Sequence, residues 1–163
     1  MSSRLLRILI IVLLVVANIG CDQVSKNLIR KKMVLNESVR FLGDHLSVTH
    51  VENSGAFLSL GNEISSTAKN NFLIILPLTI LLVGLVFLLR NPQLPTPLLT
   101  GFCFILGGGI GNIFDRAVFG SVTDFLYLQW GMFHTGIFNL ADLSITIGVV
   151  MVACSSLIRK YFF

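Results

Sequence analysis

Four aspartates, Asp22, Asp115, Asp124 and Asp142, stand in or beside long apolar runs. An ionised side chain in such surroundings costs on the order of a few kcal/mol, so it points to function before anything else. Two carboxylates brought together share one proton, and the pair can then act as acid and base on a water molecule. The densest polar stretch runs from Gly107 to Asp142: GGGIGNIFDR, then VTDF, then FNLAD. Asn112, Asp115 and Arg116 follow one another at i, i+3 and i+4, and so project from one helix face. Asn139 and Asp142 are three apart in the first turn of an apolar helix, where an aspartate also has a plain explanation as a cap. Asp22 and Lys26, in DQVSK, are four apart and can pair on one face. A snorkelling pair that ends a span would look the same.

The surroundings of these residues are those of a membrane. The 163 residues are 54% hydrophobic and 12% charged, with mean hydropathy +0.85. A soluble domain carries roughly twice that share of charge. One polytopic membrane domain over residues 1–163 is expected. Its net charge of +4 fits attraction to anionic lipid headgroups, with no nucleic-acid partner. Cys21, Cys103 and Cys154 have no metal or redox spacing, and they read as small core residues without a disulfide framework. His45, His50 and His134 lack partners at ligand spacing and read as surface residues. Neither a metal nor any other cofactor is expected.

Four membrane helices are expected to position the carboxylates, at roughly 5–28, 72–89, 98–119 and 137–158. The fold class is thus an all-α membrane protein with small β-strand elements at the membrane surface. The first run, ending Asn-Ile-Gly-Cys, has the outline of a cleavable lipoprotein signal. Asn18 sits where such signals prefer a bulky aliphatic residue, and three further spans follow, so an uncleaved helix is expected. Pro77 in the second span is tolerated in lipid. The run NPQLPTP, 91–97, makes a turn. Gly107, Gly108, Gly109 and Gly111 let neighbouring helices approach closely. Leu46, Val48 and His50 alternate with Ser47, Thr49 and Val51, which predicts a surface strand, and Val122 to Leu128 predicts another. Asn53 before Gly55 marks a turn whose amide could hold an extended peptide. If the spans alternate, all four aspartates lie at one side of the membrane.

The blocks DQVSK, NSGA, GGGIGNIFDR, VTDF and FNLAD, in this order and spacing, resemble the lipoprotein signal peptidases, the type II signal peptidases of bacterial inner membranes. They cover Asp22 to Asp142. The resemblance implies that Asp124 and Asp142 form a catalytic aspartyl dyad and that Asn53, Gly55, Asn112, Arg116, Asn139 and Ala141 line the substrate site. It implies supporting roles for Asp22, Lys26 and Asp115. It further implies both termini in the cytoplasm, a dyad near the extracytoplasmic face, and diacylglyceryl-modified prolipoproteins as substrates. A monomer is expected, with the family's cyclic-peptide inhibitors occupying the site. Two departures from the family pattern, Phe57 after Ala56 and Leu143 after Asp142, bear on pocket shape. The positive-inside rule counts against the implied orientation. Arg4, Arg7, Arg90, Arg159 and Lys160 lie on the side of the termini, while Lys26, Arg30, Lys31, Lys32, Arg40, Lys69 and Arg116 lie on the other.

Two rival readings are weaker. A GxGD protease has its nearest match at Gly109-Ile110-Gly111-Asn112, with Asn where the catalytic Asp belongs. A small proton- or cation-coupled transporter could use the same carboxylates, but no internal repeat accompanies them.

Overall fold

The computed structural model describes residues 3–43, 45–55 and 66–162. Helices α1 (Ser3–Lys32), α2 (Ser66–Arg90), α3 (Thr96–Phe119) and α4 (Leu140–Phe162) surround a packed centre on α3. Arg4–Lys32, Asn71–Arg90 and Thr96–Phe119 are long and apolar enough to cross a membrane, while the apolar part of α4 is the shorter Leu140–Ser155. Strands β1 (Ser38–Phe41), β2 (Leu46–Asn53), β3 (Val122–Trp130) and β4 (Phe133–His134) form one antiparallel sheet in that order. Two of these strands meet the expectation; β1 and β4 were not foreseen.

Helix boundaries moved for identifiable reasons. Helix α1 continues past Leu28 because Asp22, Lys26 and Arg30 occupy one face, four residues apart, and that face is covered by α3 rather than water. Helix α3 starts at Thr96, with Pro97 in its first turn, where a missing N–H costs nothing. It ends on Gly120, whose φ of 77° lets its N–H return to the Arg116 carbonyl. Helix α4 begins at Leu140 rather than near Ile137, because Phe138 is extended and exchanges backbone hydrogen bonds with Leu126.

The glycines of α3 are contact points. A Cβ on Gly101 would lie 2.8 Å from the Gly148 carbonyl of α4, and one on Gly107 would lie 2.5 Å from the Cβ of Asn18 in α1. Gly108 faces the Ala141 backbone, and a Cβ on Gly111 would lie 2.5 Å from the Asp22 carboxylate. Three helices therefore meet at backbone distance beneath the polar cluster, as small residues allow in lipid. Leu88, Leu99, Cys103 and Leu106 fill the apolar core toward the other end. Cys103 alone of the three cysteines is buried; Cys21 and Cys154 are exposed, which corrects their reading as core residues.

In β2 the simple alternation fails. Ser47 and His50, three apart, are its buried residues, and an irregularity between Val48 and Val51 in the pairing with β3 accounts for the slip. His50 is therefore not a surface residue: its ring bonds the Met33 carbonyl and Glu52.

Candidate active site

Beyond that irregularity the register places Val51 opposite Asp124 and Asn53 opposite Val122. Asn53 and Asp124 are then diagonal neighbours on one face of the sheet. Asn53 Nδ2 donates to Asp124 Oδ2 at 2.9 Å. The other oxygen of Asp124 accepts from Asn139 Nδ2 at 2.6 Å. Asn139 is the residue before α4. Its Oδ1 accepts the Asp142 N–H at 2.9 Å, while Asp142 Oδ2 accepts the Asn139 N–H at 3.2 Å. This reciprocal pair is a capping box, so the plain capping explanation of Asp142 holds. The cap leaves Asp142 Oδ1 free to accept from Asn112 Nδ2 at 2.8 Å.

All three amides turn their NH₂ groups toward a carboxylate, and in each case the amide oxygen is held elsewhere. The Gly55 N–H donates to Asn53 Oδ1 at 2.9 Å, with Gly55 at φ 75°. The Asp142 N–H holds Asn139 Oδ1. Lys26 Nζ donates to Asn112 Oδ1 at 2.8 Å. Flipping any of them would set an oxygen against a carboxylate and an NH₂ group against an N–H donor at the other end.

Lys26 is fully buried, and its ammonium has three N–H groups to satisfy. It meets Asp22 Oδ2 at 2.8 Å, Asp115 Oδ2 at 3.0 Å and Asn112 Oδ1. Arg30 adds a second cation on Asp115 Oδ2 at 3.0 Å and donates through Nε to Thr123. The fully buried Asp22 receives the Ala141 N–H at 3.0 Å, which fixes the first turn of α4. Ala141 itself is buried between α1 and α3, so its place is structural. Gln23 Nε2 bridges Asp22, Asp115 and the Gly111 carbonyl. Two cations and two carboxylates thus balance each other, with Lys26, Asp22 and Asp115 fully buried and Arg30 half-buried at the edge of the cluster.

Asp124 is almost entirely buried, and this burial pushes its carboxyl above the usual range. The bonds from Asn53 and Asn139 pull the other way, and the charge of Asp142 adds to the upward push. Arg116 lies within electrostatic range of Asp142, Asp124 and Asp115. Asp115 itself pairs with Lys26 and Arg30. On the opposite face of the sheet, Glu52 accepts from Thr123 Oγ1 at 2.6 Å and from Ser121. Burial raises the Glu52 carboxyl, but these bonds, His50 and Arg30 outweigh it and hold the group below its usual range.

Sequence reasoning missed Gln23, Arg30, Glu52 and Thr123. Arg30 was within reach, since it continues the Asp22-Lys26 spacing by four. The others needed the fold. Phe57 lies outside the described residues, and Leu143 is exposed.

The family model described as signal peptidase (SPase) II matches residues 11–158. The chain belongs to the signal peptidase II family. It is 36% identical over 135 residues to a lipoprotein signal peptidase of Maridesulfovibrio salexigens, covering 82% of this chain and 85% of that one. A lipoprotein signal peptidase of Desulforapulum autotrophicum is 34% identical over 133 residues, with 82% of each chain covered. Among solved structures, a bacterial membrane enzyme determined by the in meso method at 2.3 Å superposes with TM-score 0.81 at 26% identity, over 93% of this chain and 89% of that one. A second, at 1.9 Å, also gives 0.81, at 28% identity over 90% and 92%. A signal peptidase II member is a peptidase, and the apolar helices agree with a multi-pass membrane protein.

Proposed function

We propose that this protein is an aspartic endopeptidase that removes signal peptides from prolipoproteins, cutting before a diacylglyceryl-modified cysteine. The observation that carries the aspartic assignment is the convergence of Asp124 and Asp142, from a strand and a helix, on one set of oriented amides. Asp124, raised by burial, keeps the shared proton and donates it to the scissile carbonyl oxygen. Asp142, on the first turn of α4, takes a proton from the attacking water. The tetrahedral intermediate then collapses, and a proton reaches the leaving amine. Arg116 and the exposed edge at Asn53 and Gly55 hold the peptide backbone. Transport finds no support, since the buried polar groups collect at one end of the helices and the core toward the other end is apolar.

The rate of cleavage of a synthetic prolipoprotein across pH tests this reading. A bell is expected, with activity lost as pH rises through the raised Asp124 value. Asn53→Ala removes a donor that favours ionised Asp124, so the alkaline limb should move to higher pH while turnover falls. A limb that moves down would contradict the assignment, and a protein inert on the precursor at every pH would contradict the function.

All four helices span the bilayer in this reading, as a single domain and a monomer, with the family's cyclic-peptide inhibitors binding over the dyad. The termini and the 91–95 turn face the cytoplasm of a bacterial inner membrane. Single cysteines at Gln93 and Met132, in a background lacking the native three, check the orientation. An impermeant reagent on intact cells should reach Met132 and not Gln93; the reverse would invert the topology.

A further inference from the structure

The end of the molecule away from the aspartates has its own chemistry. Every carboxylate side chain of the sequence belongs to residues 22–63 or 115–142. The N-terminal end of α1 and the C-terminal end of α2 carry Arg4, Arg7 and Arg90 with no acid among the residues around them. Arg7 is partly occupied, donating to the Leu88 and Asn91 carbonyls at 3.1 and 2.7 Å. Arg4 and Arg90 have no ion-pair partner among the described residues.

These arginines line the mouth of a groove. Helices α1 and α2 each pack along α3 but scarcely touch one another, and three cavities with shared lining residues follow one another along the gap between them. The outermost, about 520 Å³, is lined by Arg4, Arg7, Arg90 and Pro92. A second, about 220 Å³, shares Arg4, Arg7 and Pro92 with it and adds Ile8, Ile11 and Leu88. A third, about 180 Å³, shares Ile11 and is wholly apolar, with Val12 and Val16 on one wall, Leu85 on the other and Leu106 on the floor. Polarity therefore falls steadily along the groove, from guanidinium to aliphatic.

From Arg4 to Val16 is twelve residues of helix, about 18 Å at 1.5 Å each. One leaflet is half of a hydrocarbon core of about 30 Å. The groove is thus about as deep as a single acyl chain is long, and its cationic mouth stands at headgroup height. Guanidinium groups bind phosphate oxygens through paired N–H donors, and basic pockets between membrane helices suit anionic headgroups.

We infer that this groove is a binding site for one anionic phospholipid of the leaflet opposite the aspartates, with its phosphate on Arg4 and Arg90 and one acyl chain between α1 and α2. A zwitterionic lipid of the same length fits the apolar part but brings a cation to a site that already holds three. Free phosphate satisfies the mouth and leaves the groove unused. The lipid closes the seam between α1 and α2, so it should also raise thermal stability.

The test is native mass spectrometry of the full-length protein in detergent, titrated with phosphatidylglycerol, with phosphatidylcholine of the same acyl chains, and with inorganic phosphate. Phosphatidylglycerol is expected to bind at one site at least about tenfold more tightly than phosphatidylcholine. The Arg4→Gln/Arg90→Gln double variant should reduce that preference to within about threefold, and millimolar phosphate should not displace the lipid. Arg7 is left intact because it caps α2, and the melting midpoint in lipid-free detergent shows whether the variant is folded. Equal affinities for the two lipids in the wild type would overturn the inference whatever the variant does. So would a preference that survives in the folded double variant, or displacement by free phosphate.

Discussion

Asp124→Asn and Asp142→Asn are each expected to abolish cleavage, by a factor on the order of 10³ or more, while the protein stays folded in membranes. The substitution keeps size and shape and replaces one oxygen by an NH₂ group. At Asp124 that group would confront the NH₂ of Asn53 or of Asn139, which are fixed donors. At Asp142 it would confront the Asn112 amide or the Asn139 N–H. In neither case can the shared proton be held, so the acid and base roles are lost together. Hydrogen bonds to Asp142 lie at a helix end, so some loss of stability is expected there as well. Turnover within a few-fold of wild type in either purified variant would exclude that residue from the chemistry.

Lys26→Met should have the next largest effect, and it acts on two levels. The first is stability: Asp22 and Asp115 are both fully buried, and removing the ammonium between them leaves one uncompensated charge. Breaking a buried ion pair by deleting one partner costs about 3–5 kcal/mol. The second is positioning, because Asn112 Oδ1 loses its bond from the cation and keeps only the longer one from Asn139 Nδ2 at 3.3 Å, so its NH₂ is held less firmly toward Asp142. A second variant separates the two. Lys26→Met with Asp115→Asn restores neutrality in the cluster, so the melting midpoint should largely recover while kcat stays low. Full recovery of kcat along with stability would show that Lys26 serves the fold alone. Loss confined to KM would place it with substrate binding.

The sequence supplied the positions of these groups but not their partners. The four-residue spacing of Asp22 and Lys26 made their pairing legible, and the alternation of apolar spans put the aspartates at one end. The same spacing carried to Arg30 would have shown the second cation. Asp115 was less readable: its neighbour Arg116 is an equally good partner on paper, and only the packing of α1 against the α3 glycines decides for Lys26 and Arg30. The direction of each amide was beyond reach, because an asparagine looks the same whichever way it turns. Its orientation comes from a backbone N–H or an ammonium supplied by another part of the chain. His50 reads as a surface residue because no partner stands at ligand spacing in the sequence, whereas the fold buries its ring against the Met33 carbonyl and Glu52. The lysine and arginine count across the spans includes residues that the fold uses for another purpose. Lys26 and Arg30 answer buried carboxylates, so they carry no information about anionic lipid or membrane orientation.

In the proposed reaction, peptide hydrolysis depends on a lipid-bearing cysteine delivered at the level of the dyad. Two acyl chains hold such a residue at the interface, each buried methylene adding about 0.8 kcal/mol, and that binding energy orients the scissile bond. The decisive measurement is kcat/KM for a matched pair of synthetic precursors in nanodiscs, one with a diacylglyceryl cysteine and one with a bare thiol. Mass spectrometry locates the cut, and Asp142→Asn serves as the blank. A single cut immediately before the modified cysteine is expected, at least about a hundredfold faster than for the bare thiol. Equal rates for the pair, or a cut elsewhere in the precursor, would contradict it.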